Sequence, residues 1–367
     1  MSLTGASMLK SRFDISKSRT EAEPEEIEEE NTEAKEEEVK EEEVSVEDKI
    51  VYPERRLNRS EVSVRLSLLG KTAEGDGYTY LKAACTGMSL TNISAIKSFQ
   101  HLQFVDVSDN CLDLENLQAV TELPFLVLIH ADKNLLYSAA LKRMKYMQVI
   151  IMNNNFLTSV EDVYQPELST LEVGYNKIKK IEFAKKMPNI KCLDFRHNLV
   201  RDIESIDFPN LDSLYLAGNE ITSLVGIERL VNLRILHVRK NPIKLLNGFN
   251  SELKKLQYIN LRNCKVATLR QVKKLRVLPA LETLILKGCP YMGGTGEENP
   301  VVAEEEEPAE LRIEVLASLP RLKRLNKGVV TPEERAEAKE LLKQWIEEGE
   351  NDEEEMVEEK EDGSIID

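Results

Sequence analysis

Aliphatic side chains recur along the chain in the pattern Leu-x-x-Leu-x-Leu-x-x-Asn-x-Leu, with other aliphatics standing in for Leu. The clearest copy reads Leu211, Leu214, Leu216, Asn219, Ile221 and runs on through Leu224, Ile227 and Leu230 before the next copy starts at Leu233. The polar slot is held by Asn110, Asn134, Asn155, Asn176, Asn198, Asn219 and Asn241, and then by Cys264 and Cys289. Successive slots are 24, 21, 21, 22, 21, 22, 23 and 25 residues apart. A period this steady over nine copies means one structural unit repeated in register.

Each unit is long enough for one short strand and a return segment, and neither can bury its aliphatics alone. Stacked units share one continuous core. The spacing therefore predicts an α/β solenoid: a right-handed, curved leucine-rich-repeat array with a parallel concave sheet, short helical or 3-10 segments on the convex side, helical caps and disordered acidic tails. Asn at the slot ends each strand in a tight turn, where its amide can satisfy buried backbone groups. Cys264 and Cys289 fit the slot sterically and read as structural thiols.

The ends break the pattern. Residues 1–56 are rich in Glu runs and nearly devoid of aromatics, which predicts a disordered acidic tail. The repeat domain is assigned to 57–330, with an amino-terminal cap at 57–100, an acidic loop at 293–310 and a closing cap at 311–330. Thr331, Pro332 and Glu334 make a capping-box start for an amphipathic helix over 331–348. On its apolar face stand Ala338, Leu341, Leu342, Trp345 and Ile346. That face is expected to pack on the last repeat, with Leu342 and Trp345 as the alternative contact to a partner. Residues 349–367 form a second acidic tail.

Within each strand the repeat aliphatics point inward, so the residues between them face the concave side. An apolar patch of Phe104, Leu128, Val149 and Ile151 is expected toward the amino-terminal end, and a basic row of Arg196, Arg239, Arg262 and Lys287 toward the other. Tyr215, His237 and Tyr258 fall among that basic row. Exposed aliphatics, aromatics and an ordered row of bases suit a protein-binding surface. Catalysis fits poorly: His130 and His237 fall five strands apart, about 24 Å at the usual strand spacing, and Asp106, Asp132, Glu172 and Asp194 are read as equally spread. The Gly293–Gly296 stretch lacks the Gly-Lys-Ser/Thr ending of a phosphate loop. No catalytic residue, metal, cofactor or small-molecule substrate is expected.

The formal net charge of −16 needs dissecting. The runs 21–48, 296–310 and 347–367 carry −14, −7 and −11, so the remainder of the chain carries +16. The body is basic and its partners should be acidic. Nucleic acid is disfavoured, because the acidic runs compete for the same bases and because Phe104, Tyr215 and Tyr258 are read as too far apart to stack neighbouring bases. No apolar run is long enough to span a bilayer and no secretory core opens the chain. Five scattered cysteines without a Cys-x-x-Cys pair point to free thiols in a reducing compartment. An intracellular, cytoplasmic protein without a membrane partner is expected.

Four segments carry a closer likeness: Leu66-Ser-Leu-Leu-Gly-Lys-Thr-Ala-Glu-Gly, His101-Leu-Gln-Phe-Val-Asp-Val-Ser-Asp-Asn-Cys-Leu, Lys255-Leu-Gln-Tyr-Ile-Asn-Leu-Arg-Asn and Glu333-Glu-Arg-Ala-Glu-Ala. Together they resemble the leucine-rich repeat-containing protein 23 family over roughly Glu61 to Trp345, cap and closing helix included. The resemblance implies a non-enzymatic component of the axoneme of motile cilia and flagella, in the third radial spoke, acting as a scaffold between spoke subunits. The basic first twenty residues and the 293–310 insertion differ from that family. The alternatives are a regulatory subunit similar to the repeat protein that binds type 1 protein phosphatase, and a nuclear histone-binding protein with acidic tails.

Overall fold

A computed structural model describes residues 52–72, 75–297 and 308–347. The acidic tails fall outside the described residues, as does 298–307 of the acidic loop, with one correction at the amino-terminal boundary. Residues 52–56 belong with the repeat domain: the Arg55 amide donates to Thr91 Oγ1 at 2.9 Å, Thr91 returns a backbone bond at 2.9 Å, and Leu57 donates to the Asn92 carbonyl at 2.8 Å. Backbone pairing with the first turn recruits these residues despite their polar composition. Helix α1 (Arg59–Ser63) follows, opened by a reciprocal Asn58/Glu61 capping box.

Among the described residues the sheet has 13 strands in chain order. It opens with an antiparallel hairpin, β1 (Leu66–Lys71) and β2 (Tyr78–Ala84). Three-residue strands then stack in parallel: β3 (Phe104–Asp106), β4 (Leu128–His130), β5 (Val149–Ile151), β6 (Thr170–Glu172) and β7 (Cys192–Asp194). The stack continues with β8 (Ser213–Tyr215), β9 (Ile235–His237), β10 (Tyr258–Asn260) and β11 (Thr283–Ile285). It ends in β12 (Arg324–Leu325), parallel to β11, and β13 (Gly328–Val329), antiparallel to β12.

The register is uniform. Val105, Ile129, Ile150, Leu171, Leu193, Leu214, Leu236, Ile259 and Leu284 face one another at the strand centres, and none is more than 1% exposed. Each buried aliphatic contributes roughly 1.5–3 kcal/mol, but only because the next coil covers it. The return segments hold one-turn helices and 3-10 turns, among them α2 (Leu114–Leu117), α3 (Leu269–Lys273), Gln118–Glu122 and Ile227–Arg229.

The slot residues form a hydrogen-bonded ladder. Asn198 accepts from the Ile178 amide at 3.0 Å and donates to the carbonyls of Val173 at 3.0 Å and Phe195 at 3.1 Å. Asn134, Asn155, Asn176, Asn219 and Asn241 repeat this arrangement between successive coils. Asn110 bonds the first coil in the same way. Cys264 and Cys289 keep one donor bond each, to the Val238 and Leu261 carbonyls. Burial pushes both thiols up, Cys289 to about 12. Asn326 extends the ladder by accepting from the amides of Leu286 and Lys287.

The residue before each slot is left-handed: Asp109, Lys133, Asn154, Tyr175, His197, Lys240 and Asn263 have φ of 52–57°. Gly218 and Gly288 take the same place at 68° and 80°. At Gly288 a Cβ would lie 1.9 Å from Asn263 Oδ1, so any larger residue there would have to displace that side chain.

Helices α4 (Ala309–Ser318) and α5 (Pro332–Glu347) close the carboxy-terminal end. Thr331 and Glu334 exchange the two capping-box bonds. Arg312 ties the cap together, bonding Glu334 at 2.6 Å and the Leu325 carbonyl at 3.0 Å. Leu342 and Trp345 are half-buried against the core, and Lys273 of α3 sits 5.2 Å from the Trp345 ring centroid.

Candidate functional site

Alternation along three-residue strands leaves three columns of side chains on the concave face. None of these side chains from β3 to β11 is fully exposed, since neighbouring strands stand about 4.8 Å apart and long side chains cover one another. That packing corrects the expected apolar patch. Phe104, flanked in register by Lys82 and Leu128, is only 7% exposed, and Ile151 is 5% exposed. Leu128 and Val149 are half-buried, so the four make no open apolar surface.

The acids expected to be spread along the sheet are instead joined. His130 reaches Asp106 at 3.3 Å through Nδ1 and Asp132 at 3.2 Å through Nε2. Asp132 accepts from the Asn153 amide at 2.7 Å, and Asn153 Oδ1 accepts from the Gly174 amide at 2.6 Å. Glu172 stands in register with Asp194 on the next strand and also feels the charge of Asp132. Burial would lower the His130 pKa, but the hydrogen bonds it donates to Asp106 and Asp132 and their charges outweigh it and raise it to about 10. Burial first, then Asp194, raises Glu172. The half from β3 to β7 is thus an acidic network with one imidazolium inside it.

Arg196 marks the boundary. It is not a free base: Nε bonds both oxygens of the buried Asp194 at 2.9 Å, and the guanidinium lies 5.8 Å from the Tyr215 ring centroid. Beyond it Tyr215, His237 and Tyr258 stack in sequence, with centroids 4.9 and 4.7 Å apart. His237 joins two tyrosines that were read as too distant to act together. Because the three rings stack on one another, their inner faces are occupied. Burial, then Arg196 and Arg239, pushes His237 down to about 4, so it is neutral at pH 7. Beside the rings, in the same coils, stand Arg239 and Arg262, and in the next coil Lys287, all half-buried. Arg262 Nε is buried without a hydrogen-bond partner.

This arrangement does not assemble a catalytic constellation. The Ser108 hydroxyl donates to Asp106 at 2.7 Å, and an imidazolium held between two carboxylates cannot take a proton from a nucleophile. Among the described residues no three His, Cys, Asp or Glu groups are placed to hold a metal. No helix of the described residues is long and apolar enough to cross a membrane.

Two sets of structural residues escaped the sequence pattern. Gln165, 1% exposed, accepts from the Met144 amide at 2.7 Å and donates to the carbonyls of Leu141 and Lys142. Gln118 and Gln271 brace the returns of their own coils to the next or previous one. Their distance from the slot varies, so periodicity could not reveal them. Asn153, the link within the acidic network, looks in sequence like any other polar concave residue.

The family model and the sequence relatives agree with this architecture. The family described as leucine-rich repeats (2 copies) matches residues 209–251. Leucine-rich repeat-containing protein 23 of Bos taurus is 35% identical over 278 residues, 75% of this chain and 77% of that protein. The Xenopus tropicalis protein of the same name is 38% identical over 293 residues, 79% of each chain. Among solved structures, an internalin from Listeria monocytogenes aligns at 16% identity with a TM-score of 0.48, covering 69% of this chain and 84% of that one.

Proposed function

The chain belongs to the leucine-rich repeat-containing protein 23 family, and from that premise we propose that it is a structural component of the ciliary or flagellar axoneme, part of the third radial spoke. In this reading it is non-enzymatic, links spoke subunits through its concave face and supports motility. The family's repeats suit a protein-interaction role. The observation that carries the reading is the concave face itself. Its charges are held in fixed places by partners of the same or the adjacent coil, Arg196 on Asp194 and His130 between Asp106 and Asp132. Preorganised charge lowers the ordering cost of binding and favours one docking register over others.

The axonemal position rests on the resemblance and is tested by fractionation. Tagged protein expressed in a ciliated cell should stay with demembranated axonemes through a salt wash and be lost from axonemes that lack radial spokes. Recovery wholly in the detergent-soluble fraction would refute it. Co-purification of that soluble pool with phosphatase activity would instead favour a regulatory subunit.

A further inference from the structure

The concave face changes sign along its length. From β3 to β7 it presents Asp106, Asp132, Glu172 and Asp194, offset in part by His130 and Arg196. From β9 to β11 it presents Arg239, Arg262 and Lys287 around a neutral His237. The centres of the two halves, near β5 and β10, are five strands apart, or about 24 Å at the usual spacing. Strands three residues long make a face about 10 Å wide, the width of one α-helix with its side chains. Within the basic half, Arg262 Nε is buried without a hydrogen-bond partner.

We propose that the partner is a single α-helix of at least about 16 residues, the length that spans 24 Å, with opposite charge at its two ends. It is laid across the strands with a basic cluster on the β3–β7 half and an acidic cluster on the β9–β11 half. The inference rests on the scaffold reading and adds to it the partner's charge order. A helix of one sign would meet repulsion over half its length, and a helix of mixed charge would fit neither half. Opposed charges over both halves also fix which way round the helix lies.

The test uses the full chain and two synthetic alanine-rich helical peptides of equal composition. One carries four lysines at one end and four glutamates at the other, and the second has the same residues interleaved. Fluorescence anisotropy at low and physiological salt should show the dipolar peptide binding at least tenfold tighter, with the advantage shrinking as salt rises. A photo-crosslinker at its lysine end should label β3–β7, and one at its glutamate end β9–β11. Arg239→Glu with Arg262→Glu should abolish the preference, while circular dichroism shows the fold retained. Asp132→Asn, a milder variant, should weaken binding several-fold. Equal affinity of the two peptides, labelling without end preference, or no binding of either at millimolar concentration would overturn the proposal. Axonemal retention separates the outcomes: an unaltered chain that stays on axonemes yet shows no peptide preference defeats the charge order alone, whereas its loss from axonemes defeats the scaffold reading.

Discussion

Replacing Asn198 by Ala removes the middle rung of the ladder. Asn198 is 4% exposed and makes three principal bonds to buried backbone. The losses are unequal. The Val173 carbonyl still accepts from Asn176 at 2.9 Å, and the Phe195 carbonyl from Asn219 at 2.9 Å. The Ile178 amide keeps no such substitute. An orphaned buried amide costs about 1–3 kcal/mol, and the lost packing of the truncated side chain brings the expected total to roughly 2–4 kcal/mol. Such a loss is a large part of a domain stability of about 5–15 kcal/mol.

Asn198→Asp separates the two functions of the amide. It keeps an acceptor for Ile178 but turns carboxylate oxygen toward two carbonyls, so at pH 7 it should be worse than Ala. Its folded pKa is then raised above the unfolded value, and the variant should regain stability as pH falls. Urea unfolding followed by far-ultraviolet circular dichroism, with exposed Lys180→Ala as control, measures all three. A cost below about 1 kcal/mol for Asn198→Ala, or an Asp variant milder than Ala at pH 7, would refute the ladder argument.

Gly288→Ala combines a φ of +80° with a Cβ 1.9 Å from Asn263 Oδ1; thermal unfolding should show a loss of more than about 1 kcal/mol. The two concave histidines titrate in opposite senses. His130, raised to about 10, contributes stability that is complete below pH 6.5 and lost as pH rises through 10. His237, lowered to about 4, contributes stability present above pH 6.5 and lost as pH falls toward 4. His237→Phe, which preserves the stack, should therefore flatten the acid limb of the stability profile relative to the parent chain, and imidazole NMR should find His130 protonated at pH 8. Trp345 is the chain's single tryptophan and lies under Lys273. Its fluorescence should report release of α5, and Arg312→Ala should shift that transition to lower urea while leaving the repeat transition nearly in place.

The repeat sequence by itself determined the solenoid, the strand positions and the ladder, because each depends on spacing along the chain. Leu211, Leu214, Leu216 and Asn219 state their inward direction wherever a neighbouring coil exists. The closing helix was legible for the same reason, through the local bonds of Thr331 and Glu334. The character of the concave face depends instead on which residues of different coils come to lie side by side, and that follows from register across about 20 residues of intervening chain. Asp106, His130 and Asp132 read singly as scattered polar residues, and only strand pairing makes them a network. Phe104 and Ile151 alternate outward like their neighbours, yet adjacent strands cover them. Burial of an outward side chain is set by what stands beside it in space, which periodicity along one strand does not encode.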